Sequence, residues 1–279
     1  MPHNTSLDTH TPVEAFIDYY QPNADGSPPD GMDLEIQYGQ KAIDHHPVKM
    51  RDLRAGNFTL EKNGFQLVPH HSKVTDFNDK ETVKRDYYPE VGETIRKYTG
   101  ASKVYVLTHN TRSSAVPKMD LATQKIEHVG PMRRCHVDVA PGGVEAAVIK
   151  RIGEDFMKPL AGRWKIVNAW KPVKTVERDP LAVADLIPDE DLLAIQRFRA
   201  DGSISEERYM VKAASPGKEE HSWYFAPEQR PDELLLFNQY SDKADRGIAD
   251  RVAHAAFVLP GTEDKPTRES IEVRALVVY

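Results

Sequence analysis

A single cysteine, Cys135, among 279 residues excludes an internal disulfide framework and any multi-cysteine zinc or iron–sulfur site. A transition metal bound by this chain would have to take imidazole and carboxylate ligands, and eleven histidines are available for that. Excess positive charge is missing as well. With 37 basic against 43 acidic residues the net charge is −6, so no global attraction to nucleic acid or to an anionic membrane is expected. No apolar run approaches the roughly 20 residues that span a bilayer. The opening MPHNTSLDTHTP has neither a basic start nor an apolar core, so no secretory signal is visible and a cytoplasmic protein is expected. A phosphate loop ending in Lys-Ser or Lys-Thr, Gly-x-Gly-x-x-Gly, Gly-x-Ser-x-Gly and His-Glu-x-x-His are all absent. Their absence removes the commonest nucleotide, hydrolase and zincin readings.

What is present is a succession of short strands. Residues 1–45 are polar and turn-rich and read as an arm with one short helix at Val13–Tyr20; residues 46–279 read as one domain. Gly56 and Gly64 cut the stretch from Val48 to Phe77 into short strands. Val83, Tyr87, Val91, Ile95 and Tyr98 recur near helical spacing, so Lys80–Thr99 is expected to be a helix with Gly100 as its C-cap. Lys103–Leu107 and Arg134–Val139 are strand-like; Pro141-Gly142-Gly143 then breaks the chain before a helix at Val144–Ile152. Trp164–Trp170 alternates as a strand. Beyond Pro188, Leu192–Arg199 and Glu206–Ala213 flank Asp201-Gly202, a hairpin signal. His221–Ala226, Leu234–Tyr240, Arg251–Val258 and Ser270–Tyr279 follow as strands. Strands crowded into the C-terminal half, with helices mostly ahead of them, point to a mainly β fold with flanking helices and a closed or double-layered antiparallel sheet.

Among the histidines, only His136 is followed two residues later by an acid, Asp138. Residues i and i+2 on a strand share a face, so imidazole and carboxylate converge. One such match is expected by chance, and a surface pair is the bland reading. A 2-His-1-carboxylate facial triad also needs a distal histidine, and His254 lies in a late apolar strand. Fourteen residues later, Arg268, Ser270, Glu272 and Arg274 share one parity of the last strand, and Ile271, Val273, Ala275 and Val277 the other. The polar parity is expected to line a barrel lumen, where a guanidinium would grip the carboxylate of an acidic co-substrate. Such a triad holds Fe(II) on one face and leaves three positions open, two for 2-oxoglutarate and one for O2. Oxidative decarboxylation to succinate and CO2 then drives hydrogen abstraction, ending in hydroxylation or desaturation.

Other residues take blander readings. The pairs His45-His46 and His70-His71 read as surface histidines, because adjacent strand residues point to opposite faces. Trp223 and Tyr224 read as core plus surface, Cys135 as a buried filler, and Asp189-Glu190-Asp191 as a solvated turn. His109 and Arg112 stand where the pocket mouth could be.

At these residues the sequence resembles the asaB-type hydroxylase/desaturase family of Fe(II)/2-oxoglutarate oxygenases. That family includes a fungal gibberellin desaturase and is related to a cephamycin methoxylation protein. The resemblance runs from about Val48 to the C-terminus. It rests on Asn63-Gly64-Phe65, Tyr87-Tyr88-Pro89-Glu90-Val91, His136-Val137-Asp138, Asn168-Ala169-Trp170-Lys171-Pro172, His221-Ser222-Trp223-Tyr224, His254-Ala255-Ala256-Phe257 and Arg268-Glu269-Ser270-Ile271-Glu272-Val273-Arg274. It implies a double-stranded β-helix (jelly-roll, cupin-like) core and a small-molecule substrate of specialised metabolism. It implies His136, Asp138 and His254 as iron ligands, and Arg268 as the 2-oxoglutarate partner with Ser270 beside it and Arg274 as the alternative. Asn168 and Trp170 would face the lumen near iron or co-substrate. Lys171 stands where the family usually has arginine. Two other readings stay open: a metal-dependent isomerase or cupin-like dioxygenase without an oxo acid, and a non-catalytic jelly-roll binding or accessory protein. Oligomeric state is not legible.

Overall fold

A computed structural model describes residues 11–28, 41–113, 118–120, 125–128, 130–157, 160, 163–198, 204–242 and 248–279. Its strands in chain order are β1 (Val13–Tyr20), β2 (Ile43–Asp52), β3 (Phe65–Pro69), β4 (Lys103–Arg112), β5 (Lys118–Asp120), β6 (Lys125–His128), β7 (His136–Val137) and β8 (Trp164–Pro172). There follow β9 (Leu181–Asp185), β10 (Leu192–Phe198), β11 (Ile204–Val211), β12 (Ser222–Phe225), β13 (Glu233–Ser241), β14 (His254–Ala256) and β15 (Ser270–Val278). One sheet has eight strands in the order β1-β2-β12-β9-β14-β7-β11-β10, and the other five in the order β3-β13-β8-β15-β4. The expected double-layered sheet is therefore present, as a jelly roll. Its ladder pairs are antiparallel except for β12 beside β2. The turn expected at 200–203 lies outside the described residues.

Val13–Tyr20 is a strand, not the expected helix. Ala15, Ile17 and Tyr19 are buried while Glu14 and Phe16 are exposed, a period of two rather than 3.6. The segment read as a polar arm thus contributes a strand to the larger sheet, pairing Ala15 with Val48. That sheet curls until Asp18 meets the segment before β7, where the Cys135 N–H donates to the Asp18 carbonyl at 2.9 Å. The curl encloses Tyr19, Cys135, Val137, Trp223 and Phe225, so Cys135 is the buried filler expected.

The five-stranded sheet has two differently employed faces. On one, Ile271, Val273, Ala275 and Val277 of β15 pack with Leu234 and Leu236 beneath Val83, Tyr87, Val91 and Ile95. These last belong to a helical stretch from Lys80 that becomes α1 (Tyr88–Thr99) after one π turn, and Gly100 (φ 69) caps it through a left-handed backbone. The other face meets the eight-stranded sheet, with Phe65, Trp170 and Phe237 against Leu181 and Val183. Helix α2 (Pro141–Ile152) starts at Pro141 instead of after it. Proline is tolerated in a first helical turn, where no intrahelical N–H is needed, so Pro141-Gly142-Gly143 initiates where a break was expected. Two expected strands are shorter than read: Arg134–Val139 yields only β7, and Arg251–Val258 only β14. Among the described residues no helix is long and apolar enough to cross a membrane.

Candidate metal centre

β7 and β14 are neighbours, and their ladder pairs His254 with His136. The two rings lie 4.3 Å apart between centroids on the face turned to the five-stranded sheet. Asp138, two residues past His136, completes the group. Its carboxylate oxygens stand 3.6 Å from His136 Nε2 and 3.7 Å from His254 Nε2. All three donor atoms fall within 4.8 Å of one another.

Each imidazole turns its other nitrogen to the carbonyl two residues earlier, His136 Nδ1 to Arg134 at 2.7 Å and His254 Nδ1 to Val252 at 3.2 Å. Those bonds place the proton on Nδ1 and leave the Nε2 lone pairs aimed at the common point, as a metal ligand requires. Burial, reinforced by His254, pushes the His136 pKa down to about 4, so its ring is neutral near pH 7. Burial alone would raise Asp138, but Arg274 and the two histidines outweigh it and hold the carboxyl well below its usual range. Asp138 Oδ2 accepts from Asn168 Nδ2 at 2.5 Å and pairs with Arg274 Nη2 at 2.7 Å, and the Asp138 N–H donates to Gln239 Oε1 at 2.7 Å.

Arg268 occupies the other end of this face. It is buried beside the Trp170 ring, 5.2 Å from guanidinium carbon to centroid, and its Nη1 donates to the Asp179 carbonyl at 2.7 Å. Burial and the nearby Arg112 push its pKa down to about 9. Arg268 Nε and Ser270 Oγ are both buried without a hydrogen-bond partner. Leaving such groups unpaired costs about 1–3 kcal/mol each. A desolvated guanidinium with an orphaned Nε–H, beside an orphaned hydroxyl, suits a bound carboxylate, so these residues fit 2-oxoglutarate as the triad fits Fe(II).

The polar parity of β15 therefore does turn inward, but its two arginines part company. Arg274, the alternative co-substrate partner, is engaged with Asp138 and Asn168, whose Oδ1 accepts from Arg274 Nε at 3.4 Å. Asn168 and Trp170 face the lumen as expected. Lys171 faces away from it, and its ammonium is bound to the Pro231 carbonyl. Arg112 donates to the Gly130 carbonyl at 2.7 Å and sits near Arg268, whereas His109 bonds Tyr88 on the helical side. His45 stays exposed, stacked on Phe16. His70 is not a surface residue. It is buried against Tyr87, with Nδ1 on Thr94 Oγ1 at 2.9 Å, because β3 ends beneath α1. Asp191 is likewise buried, 3.0 Å from His221, where a solvated turn was expected. Trp223 is core, and Tyr224 packs on Phe58 and Phe65. Sequence reasoning missed Gln239 and Asp179. The polar pair Asn238-Gln239 that follows Leu234-Leu235-Leu236-Phe237 is visible in the sequence, but nothing there ties it to the triad. Clefts of 410 and 400 Å³ open elsewhere on the molecule and contain none of the triad.

A family profile described as "Oxidoreductase/YMDC permease-like domain" matches residues 17–278. The chain is 61% identical to the alpha-ketoglutarate-dependent dioxygenase phiK of a fungal species, and 53% identical to the alpha-ketoglutarate-dependent dioxygenase tstK of Talaromyces stipitatus. Both alignments cover the whole of each chain. Relatives at about 30% identity include hydroxylase/desaturases and a gibberellin-cluster GA4 desaturase. Among solved structures, the iron and alpha-ketoglutarate-dependent endoperoxidase NvfI superposes with a TM-score of 0.77 at 27% identity, over 97% of this chain and 98% of that one. With a profile spanning nearly its whole length and full-length relatives above half identity, the chain belongs to the oxidoreductase family of the fungal alpha-ketoglutarate-dependent dioxygenases and asaB-type hydroxylase/desaturases.

Proposed function

We propose that this chain is a non-haem Fe(II)/2-oxoglutarate-dependent oxygenase that hydroxylates or desaturates a small molecule of specialised metabolism. A cytoplasmic setting suits a chain whose single thiol is unpaired. His136 Nε2, the Asp138 carboxylate and His254 Nε2 would hold the metal, and Arg268 with Ser270 would hold the far carboxylate of 2-oxoglutarate. When bound, Fe(II) and 2-oxoglutarate supply, with O2, an oxidant able to take hydrogen from an unactivated carbon, and succinate and CO2 leave. The protein's part is to position and to exclude water. Backbone carbonyls fix both imidazoles in the metal-binding tautomer. Asn168 and Arg274 keep Asp138 ionised and oriented. Trp170 provides an apolar wall under Arg268.

The observation that carries the reading is the unpartnered pair Arg268 Nε and Ser270 Oγ on the same lumen face as the triad. An isomerase or a dioxygenase without an oxo acid has no use for a cradle of buried donors shaped for a carboxylate. A non-catalytic binding protein has no use for a triad whose tautomers are set for metal. Addition of Fe(II) and 2-oxoglutarate without oxygen should produce the weak visible charge-transfer band of the chelate, and oxygen should then release succinate. Asp138→Ala and His254→Ala should lose the band, and Arg268→Ala should mainly weaken 2-oxoglutarate binding. A wild-type protein without the band overturns the reading, and three variants that behave as wild type overturn the residue assignment.

A further inference from the structure

β7 is only two residues long and meets β14 through one ladder pair, His136 with His254. So short a ladder does little to fix the Asp138 and His254 segments relative to each other. The facing sheet supplies a tie. In β13, Phe237 pairs with Asn168, Asn238 with Val167 and Tyr240 with Ile166, which leaves Gln239 as the extra residue of a β-bulge. Bulges re-aim side chains, and this amide is buried between the sheets.

Both ends of the amide are employed. Oε1 accepts from the Asp138 N–H at 2.7 Å, and Nε2 donates to the Val252 carbonyl at 3.0 Å and to the Asn238 carbonyl at 3.0 Å. The Val252 carbonyl is the same one that orients His254 Nδ1, and the Val252 N–H donates in turn to the Asn238 carbonyl at 2.9 Å. One side chain thus grips the backbone under one ligand and the carbonyl that aims another. Only a side chain with both acceptor and donor can do this: a carboxylate lacks the donor, and an apolar isostere lacks both.

We infer that Gln239 is a positioning residue for the metal centre, fixing the Asp138 carboxylate and the His254 imidazole relative to one another; this rests on the oxygenase reading above. Groups that orient metal ligands without touching the metal typically contribute about 10–100-fold in affinity.

Co(II) titration of the purified, metal-stripped full-length chain tests it, read by dissociation constant and by the visible d–d band, which reports ligand geometry. Thermal midpoints of the metal-free proteins are measured alongside. Gln239→Met should bind Co(II) about tenfold or more weakly, with an altered band, at temperatures well below its midpoint. Gln239→Asn keeps the amide but is one methylene short, so it should show the same loss and carries the test if the methionine variant does not fold. Asn238→Leu removes the neighbouring buried amide, which bonds Leu60 and Ala249 instead. It should lower the midpoint while leaving Co(II) affinity and band unchanged. Folded Gln239 variants with wild-type affinity and an unchanged band overturn the inference, as does an Asn238→Leu variant that loses Co(II) equally. A wild-type protein that takes up no Co(II) would instead bring down the oxygenase reading itself.

Discussion

Asp179 holds Arg268 through its main chain and pairs with two other arginines through its side chain. Its carboxylate lies 2.7 Å from Arg133 Nη2 and 3.3 Å from Arg178 Nε, and its carbonyl accepts from Arg268 Nη1. The backbone there is left-handed, with φ 52, immediately before Pro180. A left-handed non-glycine residue costs of order 1 kcal/mol and persists where the surroundings over-determine it. Here the left-handed backbone aims the carbonyl at Arg268 Nη1, and Nε remains the donor that the proposed function assigns to 2-oxoglutarate. Asp179→Ala should therefore raise the dissociation constant for 2-oxoglutarate about tenfold, the size of one lost bond to a charged group, while metal affinity holds. Asparagine tolerates the left-handed region, so Asp179→Asn should stay nearer to wild type. Titration of the charge-transfer band with 2-oxoglutarate separates the two, and equal affinities would remove Asp179 from the positioning of Arg268.

At the scale of elements, β15 divides its labour by parity. Ile271, Val273, Ala275 and Val277 are spent on the helical layer, and Ser270 and Arg274 on the lumen. Truncation on the helical side should then cost stability without touching chemistry. Ile95→Ala should lose about 2–5 kcal/mol in denaturant unfolding. Its Co(II) affinity at low temperature should match wild type. The same layer buries His70, whose pKa burial and Lys171 push from 6.5 down to about 4. Thr94 Oγ1 donates to the Glu90 carbonyl, so His70 is the donor to Thr94, from Nδ1, and its Nε2 is a bare lone pair. Between those pKa values the unfolded chain binds the proton that the folded one refuses. Stability should therefore be full above about pH 6.5 and fall towards pH 4, by at most about 1.4 kcal/mol per pH unit from this group. His70→Gln should flatten the midpoint–pH curve over that window; an unchanged slope would exclude His70 as its source. β15 was legible in the sequence because its polar and apolar residues alternate from Ser270 to Ala275. Val13–Tyr20 carries the same period, but Phe16 and Tyr20 put large aromatics on the parity opposite Ala15, Ile17 and Tyr19 and blur it towards a helical reading. Gln239 and Asp179 were not legible: one depends on a bulge and the other on a single left-handed φ, and neither leaves a periodic trace. His70 looked like half of a surface pair because the residues that cover it, Tyr87 and Thr94, lie 17 and 24 positions further along the chain.

At the scale of the molecule, the proposed ligand set draws on both sheets. His136 and His254 stand on the eight-stranded sheet, and Asp138 is held by Asn168, Gln239 and Arg274 from the five-stranded one. The Arg274 guanidinium pairs with one oxygen of the Asp138 carboxylate. A divalent ion that engages all three ligands binds only the assembled sandwich, so it should stabilise the whole fold by mass action. At a free concentration 100 times the dissociation constant the gain is about 2.7 kcal/mol. For a chain of this length that corresponds to a rise of roughly 5–10 °C in the thermal midpoint. The rise should appear as a shift of one cooperative transition, because the ligands sit where the two sheets meet and not in a separable loop. Asp138→Ala should abolish the metal-dependent shift whatever it does to the metal-free midpoint, and Ile95→Ala should keep the shift on a lowered baseline. Calorimetry of the metal-free and Co(II)-loaded proteins distinguishes the outcomes. A metal that splits the transition in two, or shifts Asp138→Ala as far as wild type, would show that the ion does not bridge the sheets.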